Sequence, residues 1–191
     1  MVLLFCSYIG AMPGQNAATE LAGLRVIAHP LRLRLLSLLT GETLSAAEAA
    51  RRLGESQANV SYHLRRLAHA GLVDLVETTA VRGGIAKRYR HDPDSGAVLA
   101  TGDREGHHAL TGAMAAELVS RSARFVPDTP IVFTDAEVTV PQDVWSRVAD
   151  LVRQAGQLLS DNALPSQDQE GVRVAATLML FQVGAAEPVA S

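Results

Sequence analysis

Apolar residues in the N-terminal half recur at helical spacing, interrupted by short polar breaks. Ala17 to Ala28 places Leu21, Leu24 and Ile27 on one stripe. His29-Pro30 closes that helix, because a residue before proline avoids helical angles. Pro30 then suits the first turn of a second helix, with Leu31, Leu35, Leu38 and Leu39 inward and Gly41 as its stop. Ser45 caps a short third helix, and Glu48 three residues on completes a capping box. Its apolar members, Ala46, Ala49, Ala50 and Leu53, are mostly small and let another helix pack closely. Gly54-Glu55 is a tight turn, and Ser56 caps a fourth helix to about Ala70 whose core face is Val60, Leu64 and Leu67. Gly71 ends it as a left-handed cap. Leu72 to Glu77 alternates as a strand, Gly83-Gly84 makes a hairpin turn, and Ile85 to His91 returns. Two helices about a tight turn, followed by a hairpin, predict a winged helix-turn-helix over residues 17–92.

The pattern changes downstream. Asp92-Pro93-Asp94-Ser95-Gly96 is a break, and a long helix is expected from about Arg104 to Phe125, ended by Pro127 and Pro130. Leu110, Met114, Leu118 and Phe125 share one of its stripes and read as a dimer interface. Ile131 to Val140 reads as a strand, and Pro141 opens a helix to Ser160. That helix carries Val144, Trp145, Val148, Leu151 and Leu158 on a wide apolar face. A polar loop, Asn162 to Gly171, precedes a β-rich strand, Val172 to Val183. The expected fold is α+β, mainly α. Its divisions are a disordered leader (1–16), the winged helix-turn-helix (17–92), a linker and dimerisation helix (93–126) and a strand-helix-strand unit (127–191).

Composition narrows the function classes. Aromatic residues make up 4% of the chain, too few for the stacking platforms that grip single-stranded nucleic acid. A lone Cys6 excludes an internal disulfide framework and fits a reducing cytoplasm. Met1 to Ala11 is apolar but lacks the basic flank of a signal peptide and is too short to span a bilayer; Met12 is an alternative start. No other segment suits a membrane. The net charge of −3 conceals a division: Glu20 to Asp92 carries a balance of +4, whereas Pro93 to Ser191 carries −7. Attraction to phosphates needs such a concentrated basic block.

With Val60, Leu64 and Leu67 inward, Gln57, Asn59, Ser61, Tyr62 and Arg65 project from other faces of the fourth helix. A recognition helix presents its N-terminal half to base edges: Gln57 suits adenine, Arg65 guanine or phosphate, and Ser61 either acceptor class. Ser56 and the helix N-terminus offer donors to phosphate. The hairpin adds Arg82, Lys87, Arg88 and Arg90. Arg82 at the tip can reach a minor groove, while alternation along the return strand makes some of the other cations structural.

The run His29-Pro-Leu-Arg-Leu-Arg-Leu-Leu-Ser-Leu-Leu, followed by Ser56-Gln-Ala-Asn-Val-Ser-Tyr-His-Leu-Arg-Arg-Leu-Ala-His-Ala-Gly-Leu-Val, resembles the ArsR-type regulators. The likeness spans about Leu21 to Arg90. It implies a homodimeric winged-helix repressor of transcription that lays the Ser56–Ala70 helix in the major groove of an inverted-repeat operator on double-stranded DNA. Many ArsR-type proteins sense metals, but the Ser45 helix has no thiol, which removes soft-metal binding by that route. Asp103, His107, His108 and Glu117 lie on the long helix; adjacent histidines diverge by about 100°, so solvated positions are expected and no metal or other cofactor. His63 and His69 read as surface or DNA-proximal. No Gly-rich phosphate loop or activated nucleophile supports an enzyme. Two alternatives stand: a winged-helix protein-interaction module without DNA binding, and a regulator whose C-terminal unit encloses a small-molecule effector.

Overall fold

The computed structural model describes residues 24–81, 84–91, 104–165 and 170–184. The leader, Cys6, Leu21, Arg82, Gly83 and Asp103 lie outside them. Residues 24–27 are helical and precede α1 (Pro30–Gly41), β1 (Leu44–Ser45), α2 (Ala46–Leu53) and α3 (Gln57–His69). The hairpin is β2 (Asp74–Val81) and β3 (Gly84–Arg90), followed by α4 (Arg104–Ser122) and α5 (Gln142–Asp161).

α1 is apolar round most of its circumference and becomes the centre of the core. Leu31, Leu33, Leu35, Leu36, Leu38 and Leu39 are all buried. Each fully buried leucine contributes about 1.5–3 kcal/mol. Pro30 opens the helix, and the His29 side chain caps it by accepting from the Leu31 amide at 3.1 Å. α2 starts with the expected capping box: the Glu48 amide donates to Ser45 Oγ, and Glu48 Oε2 accepts from the Ser45 amide at 2.8 Å. Its buried Ala49 and Ala50 let α3 approach closely.

The sheet has the order β1-β3-β2, all antiparallel. β1 was not expected: two residues carry no periodicity, and only pairing of Leu44 with Tyr89 and Ser45 with Arg88 defines it. A bulge between Leu75 and Glu77 re-aims the start of the wing. This is a winged-helix α+β fold.

Downstream, α5 forms where the pattern placed it, but the two flanking strands do not. Residues 131–140 and 172–183 belong to no sheet. Their β-branched residues favour a pleated, half-buried surface, and here none is supplied: Val132 is 97% and Phe133 83% exposed. The strand-helix-strand unit is therefore corrected to a helix between two unpaired segments. Residues 172–183 run along α4 in the opposite direction, with Phe181 against His107 (ring centroids 4.7 Å), Met179 against Thr111 and the Ala176 carbonyl facing Arg121.

Candidate nucleic-acid interface

The turn between α2 and α3 is closed by Gly54 in the left-handed conformation (φ 67°) and by the Glu55 amide donating to the Ala50 carbonyl at 3.0 Å. Ser56 Oγ then accepts from the Asn59 amide at 3.2 Å and starts α3. Val60, Leu64 and Leu67 are fully buried, and Gly71 (φ 69°) ends the element. Local chemistry thus fixes both the angle at which α3 leaves α2 and the face it turns outward.

On that outward face Ser56, Gln57, Asn59, Tyr62 and Arg65 are exposed and Ser61 is half-buried. Gln57 and Arg65 make no hydrogen bond or ion pair among the described residues, so both side chains are available to a ligand. Asn59 is engaged more: its Nδ2 donates to Glu55 Oε2 at 3.2 Å. Arg51 and Arg66 are also exposed on the helix-turn-helix. Both belong to the +4 basic block of Glu20 to Asp92, and their spacing from the core residues turns them outward.

His63 differs from the surface position expected of it. It is 6% exposed and stacks at 4.5 Å between ring centroids on His29, with Tyr62 edge-on at 5.1 Å. Burial pushes its pKa down to about 4, and the charges of His29, Arg32 and Arg66 act in the same direction against Glu55. His29 is lowered too, by burial first and then by Arg32 and Arg34. His69 is exposed, as read.

Lys87 and Arg90 stand exposed on the wing, whereas Arg88 is tied into the domain. Its Nη2 donates to the Thr43 carbonyl at 2.6 Å, and Glu48 and Glu77 lie 3.4 and 3.6 Å away. Ser45 hydrogen bonds hold the Glu48 carboxyl below its ordinary pKa, so the partner of Arg88 stays ionised. Arg88 thus ties the wing to α2 and to the chain before β1, and is more engaged within the domain than Lys87 or Arg90.

The stripe read as a dimer interface divides. Leu110 and Met114 pack against this chain's own core, leaving Leu118 and Phe125 exposed. His107 rests on Phe181, His108 is exposed, and Glu117 is buried between Arg34 (3.4 Å) and Arg121 (3.7 Å). Among the described residues these form no cluster of potential metal ligands. The Arg34–Glu117–Arg121 network was missed, since it joins residues of α1 and α4 far apart in sequence. A pocket of about 30 Å³ lies beside it, lined by Leu33, Met114 and Leu178.

No described helix is long and apolar enough to cross a membrane. No curated protein matches the chain. Among solved structures, reduced HlyU from Vibrio cholerae N16961 is 26% identical over 56% of this chain and 90% of its own, with a TM-score of 0.33. Residues 27–76 match the family model of the helix-turn-helix domain. Those residues are accordingly a helix-turn-helix domain, completed by β2 and β3 into the winged form that DNA-binding transcriptional regulators use.

Proposed function

We propose that this protein is a sequence-specific regulator of transcription, a non-enzymatic homodimer that represses by occupying an inverted-repeat operator. The observation that carries this reading is the pairing of a sealed and an open face on α3. Val60, His63, Leu64 and Leu67 anchor it, while Gln57 and Arg65 lie about two turns apart on the outside with no partner of their own among the described residues. A buried, capped helix presenting unengaged amide and guanidinium groups suits base edges in a major groove. Lys87 and Arg90 of the wing supply charge for phosphates. The likeness of Leu21 to Arg90 to ArsR-type regulators supports the repressor and dimer parts of the reading.

The test is selection of bound duplexes from a random library, followed by mobility shift with the selected site. Gln57→Ala combined with Arg65→Ala is expected to erase the preference for that site over random duplex, each lost bidentate contact being worth about 1–3 kcal/mol. Unchanged preference in the double variant refutes this reading of α3. Binding that does not weaken with salt refutes phosphate contact by the basic block.

A further inference from the structure

The buried core ends at Ala113. Beyond it lies a helix with an apolar stripe and two extended segments rich in valine, leucine and phenylalanine, none of which is sealed within the chain. Twenty-four large apolar side chains are exposed among the described residues, and twenty of these lie between Leu118 and Val183. At roughly 80–100 Å² each they place on the order of 2,000 Å² of apolar surface in water, well above the few hundred Å² a monomer's largest patch presents. A standard interface needs only about 800 Å² from each partner.

This surface holds two parts of complementary character. α5 is amphipathic, with Val144, Val148, Leu151 and Leu158 along one side, yet Gly156 is its only buried residue. Such a stripe normally lies on a sheet or another helix. Residues 131–140 and 172–183 have the composition of strands, yet their backbone groups join no ladder. Peptide groups left without partners must find them when the surrounding surface is covered. A surface carrying both a sheet-covering helix and the strands it would cover is complementary to itself, the condition for a two-fold contact. The exposed apolar side chains are spread over α5 and both flanking segments, which suits a broad partner surface rather than an enclosed small ligand.

We infer that the occupant is a second copy of this chain: residues 131–140, α5 and residues 172–183 of two protomers cover one another about a two-fold axis. The extended segments gain their ladder partners between chains. Leu118 of α4 and Phe125 just past its end are exposed as well and lie between the winged domain and these segments in the chain. The inference deepens the homodimer proposed above by naming the surface that makes it, and it does not depend on DNA being the ligand.

Sedimentation equilibrium of the full chain tests it, with hydrogen exchange as the second measurement. The expected mass is twice that of one chain, with slowed exchange at amides in 131–140 and 172–183. Val132→Asp with Phe133→Asp is expected to halve the mass and abolish that protection, while far-UV circular dichroism keeps the helical signal of the winged domain. Arg65→Ala, on the opposite function, is expected to remain a dimer. A monomeric wild type overturns the inference, whether its segments exchange freely or are protected by folding back within one chain. A double variant that stays dimeric also overturns it. A dimer that binds no duplex leaves the interface standing and refutes the DNA reading instead; a monomeric variant retaining weak duplex binding separates the two in the other direction.

Discussion

Acidification should destabilise this protein through a ring that lies behind its recognition helix. His63 is buried on α3 against His29, and its pKa falls from 6.5 to about 4, by burial first and then by the charges of His29, Arg32 and Arg66. Above pH 6.5 the ring is neutral in both folded and unfolded chains and adds nothing to pH dependence. Between pH 6.5 and about 4 the unfolded chain takes up a proton that the folded chain refuses, so stability falls as pH falls. Below about 4 the folded ring protonates as well and the loss levels off. A shift of this size corresponds to about 3 kcal/mol, and partial access of solvent to the ring reduces it to roughly 2 kcal/mol. His29 acts in the same sense, since its neutral Nδ1 accepts the Leu31 amide and a proton there would remove the cap of α1. The perturbation is His63→Leu, which keeps an apolar side chain against His29 and removes the titration. Urea unfolding at neutral pH and at about pH 4.5 should show the wild type losing roughly 2 kcal/mol more than the variant, the shared carboxylates cancelling in the comparison. Equal losses in the two proteins, or a larger loss in the variant, would refute the assignment of His63 as a buried neutral ring.

Glu117→Ala leaves the largely buried Arg121 without its carboxylate, and should lower stability by about 3 kcal/mol, read as a shift in the urea midpoint; Arg34 suffers less because Glu55 remains 3.2 Å away. Ser45→Ala removes the hydroxyl that accepts from the Glu48 amide and donates to the Glu48 carboxylate, while the backbone amide of residue 45 still donates to that carboxylate. It should cost about 1 kcal/mol in the same assay without altering the salt dependence of DNA binding. Lys87→Ala and Arg88→Ala should separate: the first reduces the slope of log affinity against log salt by about 1 with unchanged stability. The second lowers the thermal midpoint by freeing Thr43, Glu48 and Glu77. Equal behaviour of the two variants would contradict the division of the wing into contact and clamp.

The parts of this molecule legible in its sequence are those fixed by neighbours in the chain. Ser45 with Glu48, Gly54, Ser56 and Gly71 each act within four residues, so helix limits and the turn between α2 and α3 follow from residue type and spacing. His63 was legible in principle: Val60, His63, Leu64 and Leu67 occupy i, i+3, i+4 and i+7, but its polarity argued for the surface. What decides its place is His29 on another helix, a contact the chain does not announce. Arg88 is similar, since its role depends on a carboxylate forty residues earlier. The C-terminal strands illustrate the opposite failure. β-branched alternation reports a capacity to enter a sheet, and a sheet exists only when a second strand is present to pair.

The two halves of the chain therefore differ in kind, and Arg34 of α1 stands where they meet. Its guanidinium reaches Glu55 in the turn that launches α3 and Glu117 in the middle of α4. Glu55 in turn accepts from Asn59 in the first turn of α3. On one side of Arg34 the helices α1, α2 and α3 are capped and their apolar faces sealed, which holds Gln57 and Arg65 in fixed positions relative to one another. On the other side α4 carries Leu118 and is followed by Phe125, both exposed. A helix-turn-helix reads an inverted repeat only if two recognition helices are held at a fixed separation. Rigidity within the winged domain cannot supply that; it must come from whatever joins two copies. The Arg34–Glu117 pair ties α4 to the turn before α3, and the low exposure of Glu117 shields that tie from salt, unlike an ion pair on the surface.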